Sequence, residues 1–236
     1  MDLHKIQETV LRKLWTSDLL RFSDMMAVTE LTSDDFKFHL RKLIKLGLVE
    51  KRDDGRYTLT VKGKEFANRF EYGDGQLIYQ PKLTTVVYLR HDNKKEGETK
   101  YLFHQRRRQP FYDYWGVIGR PVRYGQKLEE AAKEGLKEQI GLESDLTLKG
   151  FYRQRDVDVD SSEILEDKLF VVFEAVWNGQ ELNHWPHAQA AWMTIDEVKS
   201  QPKRFDSCIE MLDRLSSNDG VVWFSENDTF YEANDF

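Results

Sequence analysis

A single cysteine, Cys208, stands in the 236 residues, so no disulfide can form within the chain. A reducing, cytoplasmic setting is the corresponding expectation. No stretch approaches the ~18 consecutive apolar residues of a membrane span, so no membrane partner is expected. The opening Met-Asp-Leu-His-Lys lacks the basic and apolar regions of a secretion signal. From Ser216 to Phe236 there is no Lys or Arg, against five acids: Asp219, Glu226, Asp228, Glu232 and Asp235. The net charge of −6 excludes a protein that coats nucleic acid uniformly. Core material is not lacking. Hydrophobic residues make up 40% and aromatics 13%, which excludes global disorder.

The charge is uneven. Residues 1–75 hold 14 Lys+Arg and 13 Asp+Glu, a net of +1, so the remainder carries −7. An anionic partner therefore suits the first segment better than the tail. The length suits two domains, expected at residues 1–75 and 76–236, the second ending in the acidic tail. The boundary is placed at 71–75, where two glycines break all periodicity.

In the first segment, Ile6, Val10, Leu11 and Leu14 form a helical apolar stripe over 4–15. Ser23 is the expected cap of a short second helix. Thr32 or Ser33 caps a third, with Asp34 and Asp35 favouring its dipole and Phe36, Leu40, Leu43 and Ile44 as its buried face. Gly47 stops it. Two strand-forming arms, 48–52 and 56–60, flank Asp53-Asp54-Gly55, a hairpin turn. A further helix is expected over about 61–70.

Three helices and a hairpin, with the string SDDFKFHLRKLIKLGLVEKRDDGRYTLTVKGKEF, resemble the winged helix-turn-helix domains of bacterial and archaeal regulators. The resemblance makes the third helix a DNA-recognition helix. It implies contacts from Lys37, His39, Arg41, Lys42 and Lys45 to double-stranded DNA, with Arg52 and Arg56 beside the wing tip. These cations equally suit an ordinary solvated face. Asp34, Asp35, Asp53 and Asp54 lie close enough to repel phosphate.

The second segment reads as a strand over 83–91, a polar loop over 92–99, a strand over 100–106, and a glycine-punctuated loop. A helix follows from Leu128 to Ile140, with Leu128, Ala132, Leu136 and Ile140 on one face and Gly141 as its stop. Later strands are expected over 169–176 and 191–194, and helices over 195–199 and 205–215. Here the chain resembles the Nudix family, whose signature is G-x5-E-x7-R-E-U-x-E-E-x-G-U, with U aliphatic. Anchored on Gly141 and Leu142, the signature keeps Leu136, Glu138, Gly141 and Leu142. It departs at Arg120, Gln126, Glu134, Gly135 and Gln139. The resemblance implies an α+β protein of two domains, a winged helix followed by an α/β/α sandwich with a mixed sheet.

Nudix enzymes hydrolyse diphosphate derivatives with a divalent metal held by helix carboxylates. Mg²⁺ or Mn²⁺ wants clustered oxygen ligands, and two of the three helix carboxylates are replaced, by Gly135 and Gln139. Two functions are therefore open. One is a DNA-binding transcription regulator, expected as a homodimer. Its degenerate Nudix cleft would sense a nucleotide-derived or phosphorylated ligand through Arg120, Arg123, Gln126, Glu138 and Gln139. The other is an active hydrolase in which Glu138 and Glu134 hold the metal. Arg120 and Arg123 either grip phosphate or face solvent, or Arg120 pairs with Glu138. Within the acidic run Asp156, Asp158, Asp160, Glu163, Glu166 and Asp167, a base at Glu163 or Glu166 competes with a plain solvated loop. Phe111, Tyr112, Tyr114 and Trp115 either stack on a base or fill the core. Cys208 reads as packing, with no base beside it.

Overall fold

The computed structural model describes residues 3–69, 80–93, 97–217 and 220–232. The chain forms two compact units, residues 1–79 and 80–236; the expected break at 71–75 lies outside the described residues.

The first unit is a winged helix. Helix α1 (Lys5–Trp15) starts at His4, whose ring accepts from the Ile6 amide while the Gln7 side chain accepts the His4 amide. Helix α2 (Phe22–Met26) departs from expectation. Its cap is Arg21, not Ser23, because the Asp24 carboxylate accepts the Arg21 amide at 2.9 Å. Thr32 caps α3 (Ser33–Lys45), accepting from the Asp35 amide. Gly47, at φ +70°, ends α3 as a left-handed residue, and the Leu48 amide returns to the Leu43 carbonyl. Phe36, Leu40 and Leu43 are buried, but Ile44 is exposed: the apolar stripe is narrower than expected. Strands β1 (Val49–Lys51) and β2 (Tyr57–Leu59) form the wing, and Leu20 pairs with Tyr57 to extend it. Helix α4 (Val61–Ala67) closes a core built on Val10, Leu11, Leu14, Met25, Phe36 and Leu43.

The second unit is a mixed sheet between two helices. Its strands are β3 (Lys82–Asn93), β4 (Glu98–Arg106), β5 (Trp115–Gly116), β6 (Ile118–Pro121), β7 (Thr147–Asp158), β8 (Ile164–Val176), β9 (Ala188–Met193) and β10 (Trp223–Tyr231). Helix α5 (Leu128–Ile140) follows β6. Helices α6 (Ile195–Lys199) and α7 (Asp206–Ser217) follow β9. The main path runs β10-β7-β8-β3-β4-β5, with β3·β8 and β7·β10 parallel. Val87 and Leu89 face the α5 side with Ala132, Leu136 and Ile140. Val86 and Tyr88 face the α7 side with Ile209, Met211 and Leu212. Covered on both faces, β3 needs the near-continuous apolar run that marks it in the sequence.

Strand β3 splits its outer edge. Residues 90–93 pair with β4, whereas 84–87 pair with β6. Strand β4 therefore leaves β3 after Tyr101 and continues against β9 and β5. The wedge this opens is where the cavity lies.

One strand is added and one expectation corrected. The acidic tail carries a strand that the sequence reading did not assign: β10 adds nine residues, Trp223 to Tyr231, parallel to β7. The acidic run is not a loop. Asp156 and Asp158 lie on β7, and Glu166 and Asp167 lie on β8, with only Asp160 and Glu163 of the run in the connection between them, residues 159–163.

Candidate functional site

Between β3, β4, β8 and α7 lies a cavity of about 220 Å³, far beyond the roughly 10–15 Å³ one water needs by this measure. Its cations are Lys82, Arg106, Arg108 and Lys168, and Trp185, Phe170 and Phe205 supply aromatic wall. Burial pulls Arg106 down to about 10, helped by the charge of Arg108 and opposed by Glu166. Its Nε is buried without a partner. Among the described residues no carboxylate forms an ion pair with Arg106 or Arg108. The guanidinium of Arg108 lies 5.9 Å from the Trp185 ring.

The inner end is polar and strictly ordered. Asp156, fully buried, receives Lys168 at 2.7 Å and the Gln154 amide. Burial raises the Asp156 carboxyl against the pull of Lys168. Lys168 also reaches Glu166 at 2.7 Å, and Glu166 continues to Lys82. Burial pushes the Glu166 carboxyl up, and Lys168 and Lys82 more than reverse this, leaving it below its ordinary range. Glu166 is therefore an ionised counter-ion at neutral pH, not a poised base. Glu163 is exposed in the turn before β8. Gln154 Oε1 and His104 Nδ1 are both buried without a partner, on side chains 1% and 5% exposed. Buried polar atoms of this kind are costly unless something pairs them.

Burial lowers His104 to about 4, opposed by a hydrogen bond with Gln139. The ring stays neutral when folded and takes a proton near the ordinary value of 6.5 when unfolded. Stability is thus lost as pH falls from 6.5 towards 4, and fully retained above. We expect His104→Leu to gain about 2–3 kcal/mol on wild type between pH 7 and 4.5, by urea unfolding at both values. Parallel pH dependence in the two proteins would contradict the assignment.

The degenerate signature helix sits beside this cavity. Gln139 lines it and donates to the Gly119 carbonyl at 2.9 Å. Of the five ligand candidates only Gln139 reaches the cavity wall. Arg120 lies against α5, its guanidinium pairing with Glu138 and, at 3.1 Å, with Glu134. Arg123 approaches Glu134 at 3.4 Å, and Gln126 accepts the Arg123 amide, closing the loop before α5. Gly135 explains how Arg120 lies there. A Cβ at 135 would stand 3.3 Å from Arg120 Cβ and 3.7 Å from Cδ, so the glycine clears the path of the arginine stem. Two departures from the signature are thus one structural change.

The donor set does not fit a divalent cation. Glu134 and Glu138 already share a guanidinium, and the other two carboxylate positions hold Gly135 and Gln139. Among the described residues no three His, Cys, Asp or Glu side chains converge as ligands. Cys208 is buried on α7, and burial pushes its thiol up to about 11, so it is no nucleophile at neutral pH. Phe111 and Tyr114 join Tyr231 and Phe205 in a buried aromatic cluster, and Trp115 is also buried. Only Tyr112 of that group is exposed.

On the winged helix, Lys37 pairs with Asp34 at 3.0 Å and Arg56 with Asp54 at 2.6 Å. His39 packs against His4 at 4.7 Å, and burial lowers its pKa, with His4 and Lys42 adding to the effect. Arg41, Lys42, Lys45 and Arg52 are exposed, with no ion pair among the described residues.

Sequence reasoning missed Lys82, His104, Arg106, Arg108, Gln154, Lys168 and Trp185 as cavity residues. The signal available was the inward, every-second-residue row Tyr152, Gln154, Asp156 on β7, whose polar members sit where a strand buries its core face.

The sequence matches the family model of the NUDIX domain over residues 81–213. No curated protein matches the chain. Among solved structures, the NUDIX domain of Shewanella oneidensis NrtR, complexed with ADP ribose, superposes with a TM-score of 0.51. It is 16% identical, and the match covers 67% of this chain and 98% of that one. The MutT protein from Bacillus halodurans gives 0.50 at 17% identity, covering 65% and 92%. At such identities the likeness speaks to fold alone.

Proposed function

Because the chain belongs to the NUDIX domain family over residues 81–213, we propose that it keeps the family's cavity for binding while its signature helix has given up metal-dependent hydrolysis. The protein is a DNA-binding regulator that senses a nucleoside-diphosphate derivative. The observation that carries this reading is Arg120, seated between Glu134 and Glu138 beside a complete cavity. Its charge occupies the carboxylates a dication would use. In the adjoining cavity, Arg106, Arg108 and Lys82 offer positive charge to a diphosphate. Trp185 offers a ring face. His104 Nδ1 and Gln154 Oε1 offer hydrogen bonds to hydroxyl or amine groups. ADP ribose, which the Shewanella domain binds, is the first ligand to try.

Calorimetric titration with ADP ribose in EDTA tests this. Binding without metal, and no product after prolonged incubation with Mg²⁺ or Mn²⁺, is expected. Turnover that depends on Glu138 would instead establish the hydrolase.

For ligand to regulate, the bound state must have a different DNA affinity from the free one. Recognition through α3 rests on Arg41, Lys42 and Lys45. Each phosphate cation contributes about 0.9 to the slope of log K against log salt. Replacing all three by Ala is expected to flatten that slope by about 2–3 and weaken binding to DNA from the protein's own promoter. Lys37→Ala should do much less, since Asp34 already offsets its charge. A slope unchanged by the triple substitution would remove α3 from the interface.

A further inference from the structure

Strand β10 ends the main sheet path, and among the described residues it pairs with β7 alone. Its other edge carries unpaired backbone groups over nine residues. Natural edges of that length are usually blunted by charged side chains, lysine above all, by proline or by a bulge. Trp-Phe-Ser-Glu-Asn-Asp-Thr-Phe-Tyr has no proline, lysine or bulge, and its charges are Glu226 and Asp228 at its middle. It has instead a symmetry. About Asn227, Phe224 mirrors Phe230, Ser225 mirrors Thr229, Glu226 mirrors Asp228, and Trp223 mirrors Tyr231. We propose that this strand is a homodimer interface, in which the β10 strands of two copies pair antiparallel about a two-fold axis at Asn227.

The two-fold requires residues equidistant from its centre to meet, and the mirrored sequence places residues of like kind there. Phe224 then faces Phe230 of the second copy, with Cβ atoms about 4.5–5.5 Å apart. These rings are 62% and 61% exposed in the single chain, on the same face of β10. Aromatic pairs directly opposite across an antiparallel ladder are among its stabilising units. On the other face Ser225 meets Thr229, small hydroxyl against small hydroxyl. Glu226 meets Asp228, a like-charge pair that would oppose association were the acids free. Asp228 is not: Arg155 grips it through two bonds of 2.7 Å. Glu226 stands in register beside Arg153, whose guanidinium is bonded to Asp167 and still places positive charge near it. A slip by one residue would move both phenylalanines off their partners, so the register is specified. The pairing joins two sheets into one and stands whether or not the cavity binds a nucleotide.

The test uses the full chain in light scattering at micromolar concentration. A dimer mass is expected. Phe224→Lys with Phe230→Lys should give a folded monomer whose unfolding midpoint, unlike that of wild type, no longer rises with protein concentration, because both side chains are exposed in the single chain. Cysteine substitution then reads the register. Phe224→Cys together with Phe230→Cys should oxidise to a covalent dimer. Phe224→Cys alone should not, since its own copy lies six positions away, roughly 20 Å along the strand, beyond disulfide reach of about 7 Å. A monomeric wild type, a dimer that survives the lysine pair, or equal cross-linking by the single and paired cysteines would each overturn the proposal.

Discussion

Gly63→Val is expected to unfold the N-terminal unit while leaving the second unit folded. Gly63 lies in the first turn of α4, where its amide donates to the capping Thr60 hydroxyl at 2.9 Å. The same hydroxyl bonds the Gly47 carbonyl, and the Thr60 amide bonds that of Leu48. These bonds press the helix start onto the backbone leaving α3. A Cβ at 63 would overlap the Leu48 carbonyl oxygen and come within 2.9 Å of its carbon. The obstacle is main chain, not a side chain that can rotate. Ordinary overpacking costs about 1–3 kcal/mol because neighbours shift. Here the shift must break the cap or the wing, so we expect more than about 4 kcal/mol, on the order of the whole stability of a unit this small. Circular dichroism of the variant should show helix loss at low temperature and one surviving cooperative transition. Salt-sensitive DNA binding should vanish, and ligand binding should persist. A variant as stable as wild type would refute the packing described.

The elements legible in the sequence were those whose partners lie close in the chain. Helix α5 was readable to the residue because Ala132, Leu136 and Ile140 repeat at helical spacing and Gly141 marks the stop. The α2 start was misplaced because a serine is the commoner cap. Asp24 satisfies the Arg21 amide from inside the helix instead, a choice that local preference alone does not dictate. Strand β10 was missed because its outward positions, Phe224, Glu226, Asp228 and Phe230, set two acids between the phenylalanines, and the acids resemble a solvated tail. The Asp156 cluster was taken for a loop for a related reason. Charge in a sequence shows no partner, and Lys168 becomes its neighbour only once β7 turns back on β8. The seating of Arg120 against the signature helix was half visible. The lost carboxylates could be counted, but the dependence of Arg120 on Gly135 needed the distance between β6 and α5.

The Asp156 cluster yields the second large effect: Lys168→Met should cost about 3–5 kcal/mol at pH 7. Asp156 is fully buried, and among the described residues its carboxylate is bonded by Lys168 and the Gln154 amide. Removing the ammonium leaves a buried carboxylate with one neutral donor. Its pKa, already raised by burial, must climb further. The sign of the pH dependence follows. An acid whose folded pKa lies above its unfolded value binds more protons folded than unfolded in the window between them. The variant's deficit should therefore shrink as pH falls towards 3.8 and be largest at neutral pH. The ordinary reading of acid sensitivity, with His104 destabilising the fold below 6.5, runs the opposite way, so the two variants separate the contributions. Adding Asp156→Asn to Lys168→Met should recover much of the loss, because no unpaired buried charge then remains, Glu166 keeping Lys82. Urea unfolding of the single and double variants at pH 7 and 5 measures all three quantities. A single-variant deficit that is flat with pH, or one that Asp156→Asn deepens, would mean that Lys168 acts by packing and not as the counter-ion of Asp156.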